Sequence, residues 1–291
     1  MRYEIRHRTA YEYDNDVLLS HHIARLTPRE LPHQRCAEHR VETFPNATTR
    51  STHEDHFGNT ATFLTLEGAH RRLEITSLNL VEVDTPVPCD PSKTPAWEEV
   101  RDRFGLELLP DPIAPVEFVF PSPQIPRRPE FREYARASFP AGCPVLAGAL
   151  DLSRRIHDDF TFDPRATSVT TPVAEFFKTR RGVCQDFAQF MIACLRSVGL
   201  PARYVSGYLE TLPPPGQAKL VGADASHAWV SVWCGEPGWV DIDPTNDVRP
   251  RDRHVTVAWG RDFSDVSPLR GVIVGSGHHT LSVAVDVTPV S

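Results

Sequence analysis

The sequence lacks the long apolar segments that membrane-spanning and secreted proteins carry. No apolar run in the 291 residues approaches the roughly 18 that a transmembrane helix needs. The first residues, Met1 to Arg8, are charged and alternating, and they lack the apolar centre of a secretory signal. From these two absences we expect a cytoplasmic protein with no membrane partner.

Positive charge is also in short supply. Lysine and arginine together number 31, against 38 acidic residues, which gives a formal charge of −7. The chain has no basic stripe with interleaved aromatic residues, the pattern that is typical of proteins that bind phosphate backbones. We therefore expect no nucleic-acid partner.

Cysteine is sparse and does not form metal-binding motifs. None of the six cysteines belongs to a C-x-x-C pair, which excludes a zinc ribbon, and six are too few for a disulfide framework in a chain of this length. The positions are Cys36, Cys89, Cys143, Cys184, Cys194 and Cys234. We expect most of them to be free thiols that pack as small buried hydrophobic groups.

Histidine is common, but no H-E-x-x-H motif occurs among the thirteen histidines. The densest group, His53-Glu54-Asp55-His56, stands beside the turn signal Gly58-Asn59 rather than on a helix. We expect these histidines to be polar residues of loops and strand faces. The sequence predicts neither a metal site nor a cofactor.

Proline is the residue in excess, and it divides the chain. Eleven of the 27 prolines lie between Pro86 and Pro129, where long helices and sheets are disfavoured because proline has no amide hydrogen. The residues before this cluster alternate as β-strands, and those after it show helical spacing followed by strands. We predict four parts: a β-rich N-terminal module (1–85), a proline-rich connection (86–130), a mixed core (131–250) and a C-terminal β segment (251–291).

The clearest helix of the core begins at or near Cys184. Its apolar residues recur every three to four positions up to Val198, and Gly199 and Pro201 end it. The first amide groups of a helix have no acceptor within it, and the helix dipole favours negative charge there. Both effects favour the nucleophilic thiolate and would stabilise an oxyanion. The alternative for Cys184 is a buried structural thiol.

Two strands follow, and their turn signals bring a histidine and an aspartate together. The strands are Ala228–Trp233 and Trp239–Ile242, with glycine and proline between them. A tight antiparallel turn places His227, before the first strand, beside Asp243, after the second. Asp241 lies on the same sheet face by alternation and remains an alternative partner.

Four segments resemble the transglutaminase-like superfamily, in the expected order. They correspond to its nucleophile segment, the strand that follows, its histidine segment and its aspartate segment. In this chain these are Gly182–Ala188, Pro201–Tyr208, Ser226–Val230 and Gly238–Asn246. His7–Tyr11 and Phe57–Asn59 resemble the β module that precedes this core in bacterial members, and Gly260–Pro268 resembles their C-terminal signature.

The resemblance implies an α+β, papain-like core in which a helix carrying the cysteine packs on an antiparallel sheet, preceded by an all-β N-terminal module. It also implies catalytic roles: Cys184 as nucleophile, His227 as base and then acid, and Asp243 as the orienting acceptor. The Asp-Pro-Thr-Asn context favours Asp243 over Asp241. The amide of Cys184 is then the expected oxyanion donor.

These roles predict a thiol-dependent acyl-transfer enzyme that acts on amide or peptide bonds, a peptidase or amidase with a peptide or protein substrate. A protein-glutamine transglutaminase and a catalytically silent peptide-binding scaffold are the alternatives. Val183 stands where the animal crosslinking enzymes carry Gln, and Gln189 where many bacterial relatives have His. We expect the Leu212–Asp224 loop to contribute to specificity, and the oligomeric state is left open.

Overall fold

The computed structural model describes residues 1–103, 115–211, 226–275 and 277–290. Within them the strands are β1 (Arg2–Ala24), β2 (Gln34–Phe44), β3 (Thr49–Glu54), β4 (Thr60–Val83), β5 (Thr161–Phe162), β6 (Arg181–Gly182), β7 (Ala202–Leu209), β8 (Ser226–Trp233), β9 (Trp239–Ile242), β10 (His254–Gly260), β11 (Leu269–Val274) and β12 (His279–Pro289). The helices are α1 (Trp97–Arg103), α2 (Pro129–Arg136), α3 (Val145–Asp159), α4 (Val173–Thr179), α5 (Cys184–Ser197) and α6 (Phe263–Val266). The Leu212–Asp224 loop of the sequence analysis lies outside the described residues.

The N-terminal module is an antiparallel sheet built on two long strands, β1 and β4. The strand order is β11-β1-β4-β2, with β12 also pairing with β1 and β3 with β4. Sequence alternation predicts separate strands at Thr60–Leu66 and Leu73–Val83, but β4 runs through both. Gly68 adopts a φ of +102° inside β4, and the pairing with β1 shifts register nearby. This local irregularity interrupts the alternation without ending the strand.

The core sheet has the order β10-β7-β8-β9 and carries α5 on one face. Side chains that alternate along β8, namely Ala228, Val230 and Val232, are buried in the same hydrophobic core as the apolar residues of α5. Helix α5 ends as expected, because Gly199 takes a φ of +89° and Leu200 donates its amide back to Leu195. The predicted helix-on-sheet packing is therefore present.

Strand β10 of the core sheet hydrogen-bonds to N-terminal side chains. The Gln34 side chain donates to the Thr256 carbonyl and accepts from its amide, both at 2.8 Å. The Asn59 side chain likewise donates to the Trp259 carbonyl and accepts from the Trp259 amide. The sequence pattern favours a C-terminal segment that completes one of the sheets, but β10 joins the core sheet while β11 and β12 join the N-terminal one.

For the proline-rich connection the sequence pattern predicts extended chain, with one or two helical turns over Trp97–Phe104, and the structure contains more regular elements than this. The connection forms two short 3-10 turns, at Pro91–Lys93 and Pro115–Val119, in addition to α1. Backbone hydrogen bonds from Trp97 to Cys143 and from Val145 to Pro95 hold it against the start of α3. The predicted helical turns reached residue 104, which lies outside the described residues.

Helix α4 begins one residue later than the sequence predicts. A threonine before a proline is the pattern of an N-cap followed by the first helical residue, which favours Thr171 as the cap, but Pro172 holds that position with an extended backbone, at ψ 142°. Helix α4 then leads through β6 to the start of α5. No helix in the described ranges is long and apolar enough to cross a membrane.

Candidate active site

Cys184 is the first residue of α5, and its neighbours fix the turn that presents it. The Asp186 carboxylate accepts the Val183 amide at 2.8 Å and the Thr167 hydroxyl at 2.6 Å, which secures the helix start. Gly182 is needed there because an added Cβ would lie 2.5 Å from the Asp186 carboxylate. The sequence gives Asp186 no catalytic role and allows that of an acidic residue in the first turn of a helix, which is the position the structure shows. The half-buried Cys184 thiol is thus held at the amino end of a buried helix.

The next pair is His227 and Asp243, at the facing ends of β8 and β9. His227 Nε2 lies 2.7 Å from Asp243 Oδ2, and the Asp243 side chain has no solvent exposure. Because an ionised carboxylate can only accept, His227 carries a proton on Nε2. Nδ1 is thereby left free to accept a proton, and the Cys184 thiol lies near enough to the ring to contribute to the raised pKa of His227. The structure therefore brings Cys184, His227 and Asp243 into one chain of contacts.

This arrangement favours a charged imidazole beside a charged carboxylate. Burial alone would lower the pKa of His227, but its hydrogen bonds with Asp243 and Cys184 outweigh burial and raise that pKa to about 10. Burial likewise opposes ionisation of Asp243, yet hydrogen bonds from His227 and His254 hold its pKa well below the ordinary range. The site can hold a proton on His227 at neutral pH.

Further donors surround the Asp243 carboxylate. Oδ2 also accepts Asn246 Nδ2 at 2.7 Å and His254 Nε2 at 3.3 Å, while Oδ1 accepts the amides of Thr245 at 3.0 Å and Asn246 at 3.3 Å. Asn246 belongs to the aspartate segment of the resemblance, whereas no sequence signal pointed to His254. Five donors in all fix the carboxylate in position.

Asp241, the alternative acceptor for His227, accepts a hydrogen bond from Trp229 instead. Its Oδ2 accepts the indole N–H of Trp229 at 2.9 Å. Trp229 is fully buried and fits against Gly207, where an added Cβ would lie 2.5 Å from the indole ring. The structure thus separates the two aspartates, with Asp243 on His227 and Asp241 on Trp229.

The other thiols differ from Cys184 in their surroundings. Burial raises the pKa of Cys36 to about 11 and that of Cys234 to about 12. It also raises the pKa of Cys143, and that of fully buried Cys194 far more strongly. These four are thiols at neutral pH, which agrees with their expected structural roles.

Val183, within the nucleophile segment, and Gln189, just after it, are the two positions that depart from the pattern of the resemblance. Val183 is the N-cap residue of α5 in an extended conformation. Gln189 is buried, and its side-chain oxygen has no hydrogen-bond partner among the described residues. Gln185 donates to the Val169 carbonyl at 3.2 Å and so ties α5 to the preceding loop.

Among the residues that the structure describes, one cluster of side chains has the spacing of a metal-binding site. Donor atoms of His227, Asp243 and His254 lie within 4.8 Å of one another. The two imidazoles converge on the same carboxylate oxygen, so hydrogen bonding accounts for their closeness without an ion. We therefore interpret these three residues as a hydrogen-bonded cluster.

Comparison with known proteins assigns both parts of the chain. Residues 3–82 match the bacterial transglutaminase-like N-terminal region, and residues 140–244 match the transglutaminase-like superfamily. The chain belongs to the transglutaminase-like superfamily, which includes cysteine-protease-like and glutamine-transglutaminase members. The predicted α+β core behind an all-β N-terminal module is confirmed.

Particular relatives extend this assignment. An uncharacterized protein of Mycobacterium tuberculosis is 42% identical, covering 99% of this chain and 93% of its own. A protein-glutamine gamma-glutamyltransferase of Pseudomonas aeruginosa is 41% identical over 109 residues, which is 36% of this chain and 16% of that protein. A Cytophaga hutchinsonii structure, provisionally described as a cysteine protease, has a TM-score of 0.71 at 19% identity, covering 100% of this chain and 92% of its own. That last likeness shows the fold.

Proposed function

We propose that the protein is a thiol enzyme that cleaves amide or peptide bonds through Cys184, His227 and Asp243. The observation that carries the proposal is the position of His227, whose Nε2 lies 2.7 Å from Asp243 and whose pKa is raised by both Asp243 and the nearby Cys184. A thiol nucleophile needs a base, and the base needs an acceptor that fixes its tautomer. The fully buried, five-donor Asp243 supports that last role.

In the acylation half-reaction, His227 Nδ1 already holds the proton taken from Cys184, because the pKa of His227 is raised, and the Cys184 thiolate attacks the substrate carbonyl carbon. The Cys184 amide, which has no acceptor within the helix, donates to the oxyanion that forms. His227 then returns its proton to the leaving amine as the carbon–nitrogen bond breaks. The product is a thioester on Cys184. Asp243 holds the His227 imidazole in the same orientation throughout.

In the second half-reaction, His227 takes a proton from water, and the hydroxide attacks the thioester. The acid product leaves and the Cys184 sulfur recovers a proton from His227. An amine in place of water would give transfer instead of hydrolysis. The local identity to a Pseudomonas aeruginosa protein-glutamine gamma-glutamyltransferase supports transfer as the second candidate.

Hydrolysis and amine transfer can be tested together by incubating casein with the protein and labelled cadaverine and analysing the products by mass spectrometry. We expect new peptide termini from the wild-type protein and from Cys143→Ala, a control at a half-buried thiol outside the site. We expect none from Cys184→Ala. Cadaverine adducts in place of new termini would favour transfer, and processing by none of the proteins would favour the silent scaffold. Full processing by Cys184→Ala would refute the mechanism.

A further inference from the structure

A cavity of about 620 Å³ lies between the N-terminal module and the core sheet. This volume is within the range of small-molecule sites. Arg29 of the N-terminal module and Arg203 and Trp259 of the core line it, and neither Cys184 nor His227 is among its described lining residues. His254 does line it, so the cavity shares one wall with the candidate active site.

The cavity lining carries an excess of positive charge. Arg29, Arg203, Arg249 and Arg251 contribute four cations, and Asp241 is the single acid among the described lining residues. The chain as a whole has a formal charge of −7, so this excess is local. Cations concentrated within a low-dielectric cavity attract anions. The lining therefore favours an anionic occupant.

Arg203 has a donor without an acceptor. Its buried Nε has no hydrogen-bond partner among the described residues, and neither has the Nε of Arg29, although Arg29 donates through another nitrogen to Phe57 and Asn59. Burial lowers the pKa of Arg203 to about 9, and the attraction of Asp241 offsets only part of that effect. A buried cation without a hydrogen-bonded carboxylate is costly, and an anionic ligand would supply the missing acceptor.

Tryptophans hold these two guanidinium groups in place. Arg29 stacks 3.5 Å from the ring centre of Trp259, and Arg203 stacks 3.6 Å from the same ring and 4.4 Å from Trp239. Stacking occupies the faces of a guanidinium and leaves its N–H edge for a carboxylate. Because both groups stack on the same ring, Trp259 carries a guanidinium on each face and can offer only its edge to a ligand.

We propose that this cavity binds a small aromatic carboxylate, with its carboxylate on Arg203 and its ring against the apolar part of the lining, which includes Val87, Phe118 and the edge of Trp259. The site takes an organic anion because positive charge and apolar side chains occur together in its lining. The proposal does not rest on the thiol activity, since Cys184 is not among the described residues that line the cavity.

Calorimetric titration of the intact protein tests the proposal with 2-naphthoate, its neutral counterpart 2-naphthamide, and inorganic phosphate. We expect 2-naphthoate to bind on the order of tenfold tighter than 2-naphthamide, because a charge-assisted hydrogen bond is lost in the amide. We expect phosphate, which lacks the ring, to bind more weakly than 2-naphthoate. Equal affinity for 2-naphthoate and 2-naphthamide, or no binding of 2-naphthoate, would overturn the proposal.

Three variants separate the site from general effects on folding. Arg203→Gln should weaken 2-naphthoate about tenfold and leave 2-naphthamide unchanged, while Arg6→Gln, the same charge change at an exposed residue of β1, should alter neither. Asp241→Asn removes the one lining acid yet retains an acceptor for Trp229, so it should tighten 2-naphthoate. A gain of affinity cannot come from misfolding. Equal binding by Arg203→Gln and Arg6→Gln would contradict the assignment.

Discussion

Replacing Asp243 by Asn removes one charge without changing the size of the side chain. The Asp243 carboxylate accepts from two backbone amides on one oxygen and from three side-chain donors on the other. The backbone amides cannot change, so the single oxygen of Asn would face them. Its NH₂ group would then face His227 Nε2, which has to give up its proton and accept.

The expected loss of activity follows from this change of tautomer. His227 would carry its proton on Nδ1, toward Cys184, and could no longer take the thiol proton. The corresponding exchange in serine-protease triads costs about 10⁴-fold in rate, which is about 5 kcal/mol of transition-state stabilisation. Loss of a buried charged partner also destabilises by about 3–5 kcal/mol. We expect a folded but nearly inactive protein.

The assay compares Asp243→Asn with Asp241→Asn, an identical exchange two residues away. Peptide cleavage rates should fall at least a hundredfold further for position 243 than for position 241, because Asp241 bonds Trp229 rather than His227. NMR titration of His227 should show its pKa falling from about 10, since burial would no longer be opposed by a carboxylate. Comparable rates for the two variants would refute the reasoning.

Three further predictions concern the surroundings of the triad. His254→Phe removes one donor from Asp243 and should lower kcat about tenfold with little change in KM, measured on the same peptides. Gly182→Ala forces a Cβ against the Asp186 carboxylate and should destabilise the protein by about 1–3 kcal/mol in urea unfolding. Because the folded-state pKa of His227 is raised to about 10, its stabilisation is complete below its ordinary value near 6.5 and is lost as pH rises through about 10. The stability difference between the wild-type protein and His227→Asn should therefore shrink between pH 6.5 and 10, and a constant difference would contradict this assignment.

Local signals in the sequence were sufficient for the helix and for the histidine–aspartate pair. Helical spacing with Gly199 and Pro201 as stop signals defines α5 and puts Cys184 at its start. Turn residues between β8 and β9 bring His227 to Asp243 because the two strands are neighbours in sequence as well as in the sheet. Each inference depends on residues that are close along the chain.

Features that depend on distant parts of the chain were missed. His254 reaches Asp243 because β10 pairs with β7, and no turn signal connects those strands. Arg196 is buried in α5, where periodicity treats arginine as exposed, because the carbonyls of Ala202 and Arg261 satisfy it. Both contacts require the tertiary arrangement before they can be recognised.

The most direct test of thiol catalysis measures how fast each cysteine reacts with iodoacetamide at pH 7 in the native protein, by peptide mass spectrometry. We predict that Cys184 reacts about tenfold faster than Cys36, whose pKa is raised to about 11, because only the thiolate is nucleophilic. We also predict that His227→Asn slows the reaction of Cys184 and leaves that of Cys36 unchanged. Equal rates for the two thiols, or no effect of His227→Asn on Cys184, would contradict thiol catalysis by Cys184.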